Sequence, residues 1–181
     1  MKCPLCNTSV MVSCRPEENL KMMECKSCGG QWLSSQNFWK WVGSLDKSVQ
    51  NEEIKAVEYE IRDSDNAKMC LDCGKIMIKY RVGHGLNYKL DHCNSCGGVW
   101  FDKNEWNALK NKNLHRELRS IFTRGWQAKV QSEEKTLLLE KHYKKRFGTD
   151  YERIADFKSW MDKHELKASV LAYLSDPRPF E

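Results

Sequence analysis

Eight of the nine cysteines in this 181-residue chain are arranged in four C-x-x-C pairs. The pairs are Cys3/Cys6, Cys25/Cys28, Cys70/Cys73 and Cys93/Cys96. Two kinds of chemistry use this spacing, namely thiol–disulfide redox reactions and metal binding by thiolates. One pair would leave the choice open, but four pairs in two matched sets predict metal binding and indicate zinc.

The spacing within each set fits a four-thiolate zinc site. Eighteen residues separate the two pairs of the first set and nineteen separate those of the second, which is enough for a short hairpin that returns the chain to the metal. Four thiolates close the tetrahedron, whereas catalytic zinc usually keeps a position for water. We therefore expect two structural Zn²⁺ ions, no catalysis and no small-molecule substrate. His84 and His92 remain alternative ligands, and Cys14 is predicted to be a thiol outside the sites.

A fourteen-residue stretch with these cysteines occurs twice. Residues 25–38 read CKSCGGQWLSSQNF and residues 93–106 read CNSCGGVWFDKNEW, with six identical positions. Each copy has two glycines directly after its second cysteine, where the turn requires backbone angles that side chains disfavour. We expect Gly29-Gly30 and Gly97-Gly98 to allow this turn and to bring N–H groups close to the thiolates.

The elements that must position the cysteines are a hairpin and a short helix in each copy. Apolar residues alternate over 76–82 and again over 86–90, on either side of a glycine-containing turn, so the second copy predicts a β-hairpin. Asp102 and Glu105 have the spacing of a capping box after Trp100, and Ser34 and Asn37 align with them after Trp32, so we predict a helix start after each tryptophan. Because so small a unit has few residues to bury, the aromatic side chains are predicted to form its core.

The two units resemble the bacterial transcription-factor zinc-finger family, the TFIIB-type zinc ribbon. That family has the pattern C-P-x-C followed by C-x-x-C-G-G-x-W, a hydrophobic residue and D-x-x-E. The second unit is the more similar, although its CLDC lacks the proline; the first has CPLC, but Ser34 and Asn37 replace the acidic residues. The resemblance covers about eighty residues. It implies zinc binding and, by analogy, a setting in transcription.

These patterns divide the chain into four predicted segments. We predict a small, metal-stabilised α+β protein with zinc ribbon 1 at residues 1–43 and zinc ribbon 2 at 68–112. A charged linker at 44–67 forms either a short helix or a flexible spacer. Residues 113–181 lack cysteine, are rich in helix formers and predict three or four helices able to pack as a small bundle. Each ribbon is expected to contain one short β-hairpin and one short helix.

Positive charge is concentrated in one part of the chain. The formal net charge is +5, and eight thiolates with two Zn²⁺ ions would reduce it to about +1. Residues 1–102 carry thirteen basic and thirteen acidic side chains, whereas residues 103–146 carry twelve and five. Clustered cations release counterions from phosphates, so residues 103–146 are the better candidate for contact with nucleic acid. The residues predicted to make such a contact are Lys112, Arg116, Arg119, Lys141, Lys144, Lys145 and Arg146.

These observations favour a non-enzymatic binding module. The main hypothesis is contact with nucleic acid through the basic segment; the alternatives are a protein–protein adaptor and, more remotely, a thiol redox protein. Neither an apolar leader nor a membrane-spanning run is present in the sequence. We therefore expect a cytoplasmic protein without a membrane partner, in a compartment where thiols stay reduced.

Overall fold

The computed structural model of the chain describes residues 1–45, 59–61 and 63–178. The strands are β1 (Met11–Glu17), β2 (Leu20–Cys25), β3 (Gln31–Leu33), β4 (Ile78–Gly83), β5 (Leu86–His92) and β6 (Val99–Phe101). The helices are α1 (Ser35–Ser44), α2 (Glu105–Asn111), α3 (Leu118–Ile121), α4 (Arg124–Phe147), α5 (Tyr151–Asp162) and α6 (Lys167–Ser175). This is the predicted small α+β protein, with a hairpin and a helix in each ribbon and helices towards the C-terminus.

The two ribbons share one six-stranded antiparallel sheet. Its order is β1-β2-β3-β6-β5-β4, so the second ribbon repeats the strand order of the first in reverse. The short strands β3 and β6 join the halves, and Trp32 lies opposite Trp100 at the centre of that pair. The arrangement is therefore close to two-fold symmetric, as expected when two copies of one sequence unit pair through the same strand.

Each ribbon contributes a tryptophan that packs on a glycine of the other. A methyl group at Gly30 would lie 2.1 Å from Cζ2 of Trp100, and one at Gly98 would lie 2.2 Å from Cη2 of Trp32. Neither Gly30 nor Gly98 has a positive φ. Their role therefore differs from the predicted one, because they provide space for an indole ring rather than an unusual backbone conformation.

The apolar core lies on the helical side of the sheet. Phe38 and Trp41 of α1 and Trp106 of α2 are buried there with Phe101 of β6. The ring centroids of Trp41 and Trp106 are 5.9 Å apart in an edge-to-face arrangement, which favours this pair. The prediction that the aromatic residues form the core is confirmed at these positions.

The region after the second ribbon differs from the predicted bundle. Leu114, Leu118 and Ile121 are buried as their helical spacing predicts, but only the one-turn helix α3 forms there. The chain divides into two compact units, Met1–Gln131 and Ser132–Glu181. In the described part of the second unit, residues 132–178, no residue is buried. Its helices therefore lack the buried core that a stable bundle requires.

The predicted linker lies largely outside the described residues, so the short helix suggested for it cannot be compared with the structure. Tyr59 and Ile61 of this segment are described, and Ile61 packs against the core. Within the described ranges, no helix is both long and apolar enough to cross a membrane.

Candidate metal centres

The first centre brings together the four cysteines of ribbon 1. Cys3 and Cys6 precede β1, Cys25 ends β2 and Cys28 lies in the turn before β3. The Sγ atoms of Cys3 and Cys28 are 3.7 Å apart, and those of Cys6 and Cys25 are 3.5 Å apart. A zinc tetrahedron with bonds of about 2.3 Å has sulfur–sulfur edges of about 3.8 Å. The four thiols therefore have the spacing that one zinc ion requires.

The second centre repeats this geometry in ribbon 2. The Sγ atoms of Cys70 and Cys96 are 3.4 Å apart, as are those of Cys73 and Cys93. In each centre all four sulfur atoms lie within 4.8 Å of one another. The sequence-based grouping of eight cysteines into two sets of four agrees with this arrangement.

Identical turns shape the cysteine pairs. The N–H of Gly29 donates to the carbonyl of Cys25 at 2.8 Å, and that of Gly97 donates to the carbonyl of Cys93 at 2.7 Å. Both glycines have φ angles near +75°, at 72° and 76°, in the left-handed region that glycine adopts without strain. The first glycine of each pair therefore has the backbone role that the sequence predicts.

Hydrogen-bond donors favour the thiolate form of one cysteine in each centre. The pKa of Cys6 is lowered to about 6, chiefly by hydrogen bonds from the side chain and backbone of Thr8. Burial acts to raise the pKa of Cys93, but the backbone N–H groups of Cys96 and Ser95 outweigh it and lower that pKa to about 7. Thiolates are the form that binds metal, so these donors favour the metal-binding form of Cys6 and Cys93, whereas burial raises the pKa of Cys3, Cys28, Cys70 and Cys96.

The remaining potential ligands lie outside both centres. Cys14 is half-buried on β1, opposite Met22 of β2. His92 stacks on Phe122 with ring centroids 4.0 Å apart, and its Nδ1 lies 2.8 Å from Oδ1 of Asn94. Neither histidine considered from the sequence joins a four-cysteine group, so thiols alone form both centres among the residues that the structure describes.

A third polar cluster lies beside ribbon 2. Asp63, Asp102 and Glu105 are close enough to hold a cation. However, Lys68 is fully buried beside them, with Nζ 2.6 Å from Asp91 and 3.2 Å from Asp102. Burial acts to lower the pKa of Lys68, but these two carboxylates outweigh it and leave that pKa above its usual value. The ammonium group therefore occupies the cationic position of this cluster.

The predicted contact residues differ in their surroundings. Six of them are exposed: Lys112, Arg116, Lys141, Lys144, Lys145 and Arg146. Arg119 is half-buried instead; its Nη1 donates to the carbonyl of Gly97 at 2.9 Å, and its guanidinium lies 5.6 Å from the ring centroid of Trp39. Charge reversal at Arg119 would thus disturb the second centre as well as any partner contact.

Sequence reasoning missed the roles of Lys68 and Arg119. Lys68 is separated by more than twenty residues from Asp91 and by more than thirty from Asp102. No local spacing links these residues, so only the folded chain shows the ion pairs. For Arg119 the only signal in the sequence is its positive charge within the basic segment 103–146, which gives no information about the turn that it contacts.

Comparison with known proteins supports the ribbon assignment. No curated protein and no solved structure gives a significant match to the chain. Residues 68–112 match the family model described as transcription factor zinc-finger, a TFIIB-type zinc ribbon. The first ribbon lies outside that match, but it has the same four-cysteine geometry and the mirrored strand order. The resemblance seen in the sequence is therefore confirmed: ribbon 2 matches the TFIIB-type zinc ribbon family, and ribbon 1 contains a second four-cysteine centre.

Proposed function

We propose that this protein is a non-enzymatic zinc-binding module of the cytoplasm, with two structural Zn²⁺ ions. The observation that carries the proposal is that, within the described ranges, each centre is a group of four thiols. Four thiolates leave no open position for water and donate enough charge to make zinc a poor Lewis acid. The ions would therefore stabilise a rigid sheet rather than activate a substrate.

We further propose that residues 103–146 contact nucleic acid, in transcription or a related process. Lys141 and Lys145 are exposed and four residues apart on α4, so they extend from the same side of the helix. Lys144 and Arg146 add positive charge nearby, although Lys144 also pairs with Glu140 at 2.7 Å. A cluster of this kind binds phosphates through counterion release, and the match of ribbon 2 to transcription factor zinc fingers supports the setting.

The test measures the salt dependence of binding to a short labelled duplex DNA and a short labelled RNA, by fluorescence anisotropy. The double substitution Lys141→Glu with Lys145→Glu should weaken binding and reduce the slope of log K against log salt by about two. Each phosphate contact on duplex DNA contributes about 0.9 to that slope, so the loss of two lysines predicts this value for the DNA.

A matched control places the same charge change on the ribbons. Lys21 and Lys75 are exposed, so Lys21→Glu with Lys75→Glu alters the net charge equally without changing α4. The control should leave the slope close to that of the wild type. Wild-type binding that is undetectable at low ionic strength, or equal effects of both double variants, would contradict the nucleic-acid proposal.

A protein–protein adaptor is the second candidate, and a specific observation favours it. Phe157, Trp160 and Leu174 are exposed by 43%, 51% and 57%, and exposed aromatic and aliphatic side chains serve as anchors in protein interfaces. Purification from source cells after nuclease treatment and in high salt distinguishes the two candidates. A defined protein partner retained under those conditions would favour the adaptor.

A further inference from the structure

The helical segment of residues 132–178 exposes an unusual amount of apolar surface. None of its residues is buried, and eleven large apolar side chains are exposed by 41–69%. Leu138 and Leu139 of α4, Phe157 and Trp160 of α5, and Leu171 and Leu174 of α6 are among them. Large exposed apolar patches on soluble proteins mark sites of interaction.

The helix α6 has the composition of a buried helix. Residues 170–174 read VLAYL, an unbroken apolar run that places hydrophobic side chains on every side of the helix. A helix that is hydrophobic all round is normally covered by other protein. Within the described part of this unit, however, Leu171, Tyr173 and Leu174 are 44–57% exposed. In the described part of the chain, these side chains of α6 are therefore only partly covered by other protein.

The helix α5 has an apolar stripe on one side. Ile154, Phe157 and Met161 follow the i, i+3, i+7 spacing of one helix face, and Phe157 contacts Trp160 with ring centroids 5.5 Å apart. Acidic residues Glu152 and Asp156 lie on the opposite side of the same helix. Such an amphipathic helix presents one face to a partner.

The charge balance of the segment is compatible with a second copy of the chain as the partner. Residues 132–181 carry ten basic and ten acidic side chains, so the segment as a whole is neutral. The segment therefore has no net charge that would attract a strongly charged partner. A two-fold interface requires one patch to complement itself, and equal numbers of both signs are compatible with this condition.

The amount of apolar surface also suits a dimer. The eight exposed side chains outside the run 137–139 offer roughly 700 Å² per chain, since aromatic side chains have about 150–250 Å², aliphatic ones somewhat less, and about half of each is exposed. A standard interface buries about 800 Å² on each partner. We propose that helices α5 and α6, with the adjoining end of α4, form a dimer interface with a second copy of this chain.

The dimer is compatible with the proposed nucleic-acid contact and does not depend on it. Tyr143 and Phe147 stack with ring centroids 5.5 Å apart on one side of α4. By helical spacing, Lys141 and Lys145 lie on the other side. A dimer that covers Tyr143 and Phe147 leaves both lysines exposed and gives the assembly two basic faces.

Sedimentation equilibrium of the full zinc-loaded chain tests the proposal over a concentration series, after nuclease treatment and in high salt. Nucleic acid cannot bridge chains under those conditions, so the result is independent of the proposed function. We expect a mass twice that of the 21.3 kDa chain at high concentration. Phe157→Glu combined with Leu171→Glu should raise the dissociation constant of the dimer by about tenfold or more, because two charges would then be buried at the interface.

The matched control carries the same change at exposed apolar residues of the ribbons. Val10 and Ile76 are 64% and 62% exposed, and Val10→Glu with Ile76→Glu should leave the dimer intact. Circular dichroism of both variants checks that helix content is retained. A wild-type chain that stays monomeric at every concentration overturns the proposal, as does a dimer that the Phe157/Leu171 variant leaves unchanged.

Discussion

Glu105 begins α2 with its carboxyl group fully buried beside two other acidic residues. Its Oε2 accepts a hydrogen bond from the backbone N–H of Asp102 at 2.8 Å, which is one half of the predicted capping box. Its Oε1 has no hydrogen-bond partner among the described residues. Burial, reinforced by the charge of Asp102, raises the pKa of Glu105 to about 9. The native protein therefore holds a proton on Glu105 at neutral pH.

This proton makes stability depend on pH. The unfolded chain, with a glutamate pKa near 4.3, has released the proton at neutral pH, whereas the native state keeps it until about pH 9. The native state thus binds more protons in this range, so the contribution of Glu105 to the free energy of unfolding falls as pH rises. The slope is at most about 1.4 kcal/mol per pH unit, and it is absent above the native pKa.

Glu105→Gln should remove this contribution, because the amide is neutral at every pH. Between about pH 6 and pH 9, the unfolding free energy of the variant should rise relative to that of the wild type by up to about 1.4 kcal/mol per pH unit. Urea denaturation in zinc-buffered solution measures it. The pH dependence of zinc binding is common to both proteins and cancels.

Glu117→Gln is the matched control, since Glu117 is exposed at the start of α3. It should follow the wild-type pH profile. A Glu105→Gln variant that keeps the full wild-type slope would contradict the role of Glu105 in the pH dependence of stability.

At the scale of elements, the junction of β3 and β6 depends on two glycines. The indole of Trp100 occupies the space beside Gly30, and the indole of Trp32 occupies the space beside Gly98. The Nε1 of Trp100 donates to Asp102 at 2.7 Å, which fixes its ring in this position. A side chain larger than hydrogen at either glycine must therefore displace a buried tryptophan.

Gly30→Ala should destabilise the protein by about 1–3 kcal/mol, the usual cost of overpacking a dense core. Gly43 provides the control, because a methyl group there meets no atom within 4 Å and the residue lies within α1. Gly43→Ala should be neutral or stabilising by up to about 1 kcal/mol, since alanine favours a helix over glycine. Denaturant unfolding of both variants gives the comparison; equal stabilities would show that the indole can move without cost.

At the scale of the whole molecule, the two metal centres belong to one sheet. Trp32 and Trp100 pack among the cysteines of both centres in a single buried cluster. The Nε1 of Trp32, in ribbon 1, also donates to Asp72 of the second centre's first turn at 3.2 Å. Because structural zinc contributes about 10–16 kcal/mol in small fingers, loss of one ion should weaken the sheet that supports the other.

We therefore expect the two ions to be lost together. Cys6→Ser should weaken ion retention at the second centre as well as the first, although Cys6 is not among its ligands. Native mass spectrometry during titration with a chelator measures ions per chain, and hydrogen exchange over residues 68–112 reports on ribbon 2. Wild-type protein should show little of the one-ion form, and its ribbons should unfold when both ions are removed.

Cys14→Ser is the control for this prediction, because Cys14 lies outside both centres. It should retain two ions at the chelator concentration that strips Cys6→Ser. Independent loss of the two ions in the wild type, with ribbon 2 protected after ribbon 1 is empty, would contradict the coupling.

The sequence alone determined the metal centres and their local elements. The ligands of each centre lie within about 27 residues of chain, and C-x-x-C turns, alternating hairpins and helix starts are all short-range patterns. Such patterns need no knowledge of distant contacts. For this reason the eight cysteines, the two hairpins and the short helix of each ribbon agree with the structure.

Only the tertiary structure decided how these units combine. The pairing of β3 with β6, the packing of each tryptophan on the other ribbon's glycine and the burial of Lys68 between Asp91 and Asp102 join residues that are distant in the chain. No periodicity or spacing encodes these contacts, because they depend on how folded segments of the chain pack together. The same reason applies to the helical tail. The sequence shows its apolar residues, but only the structure shows that they are exposed.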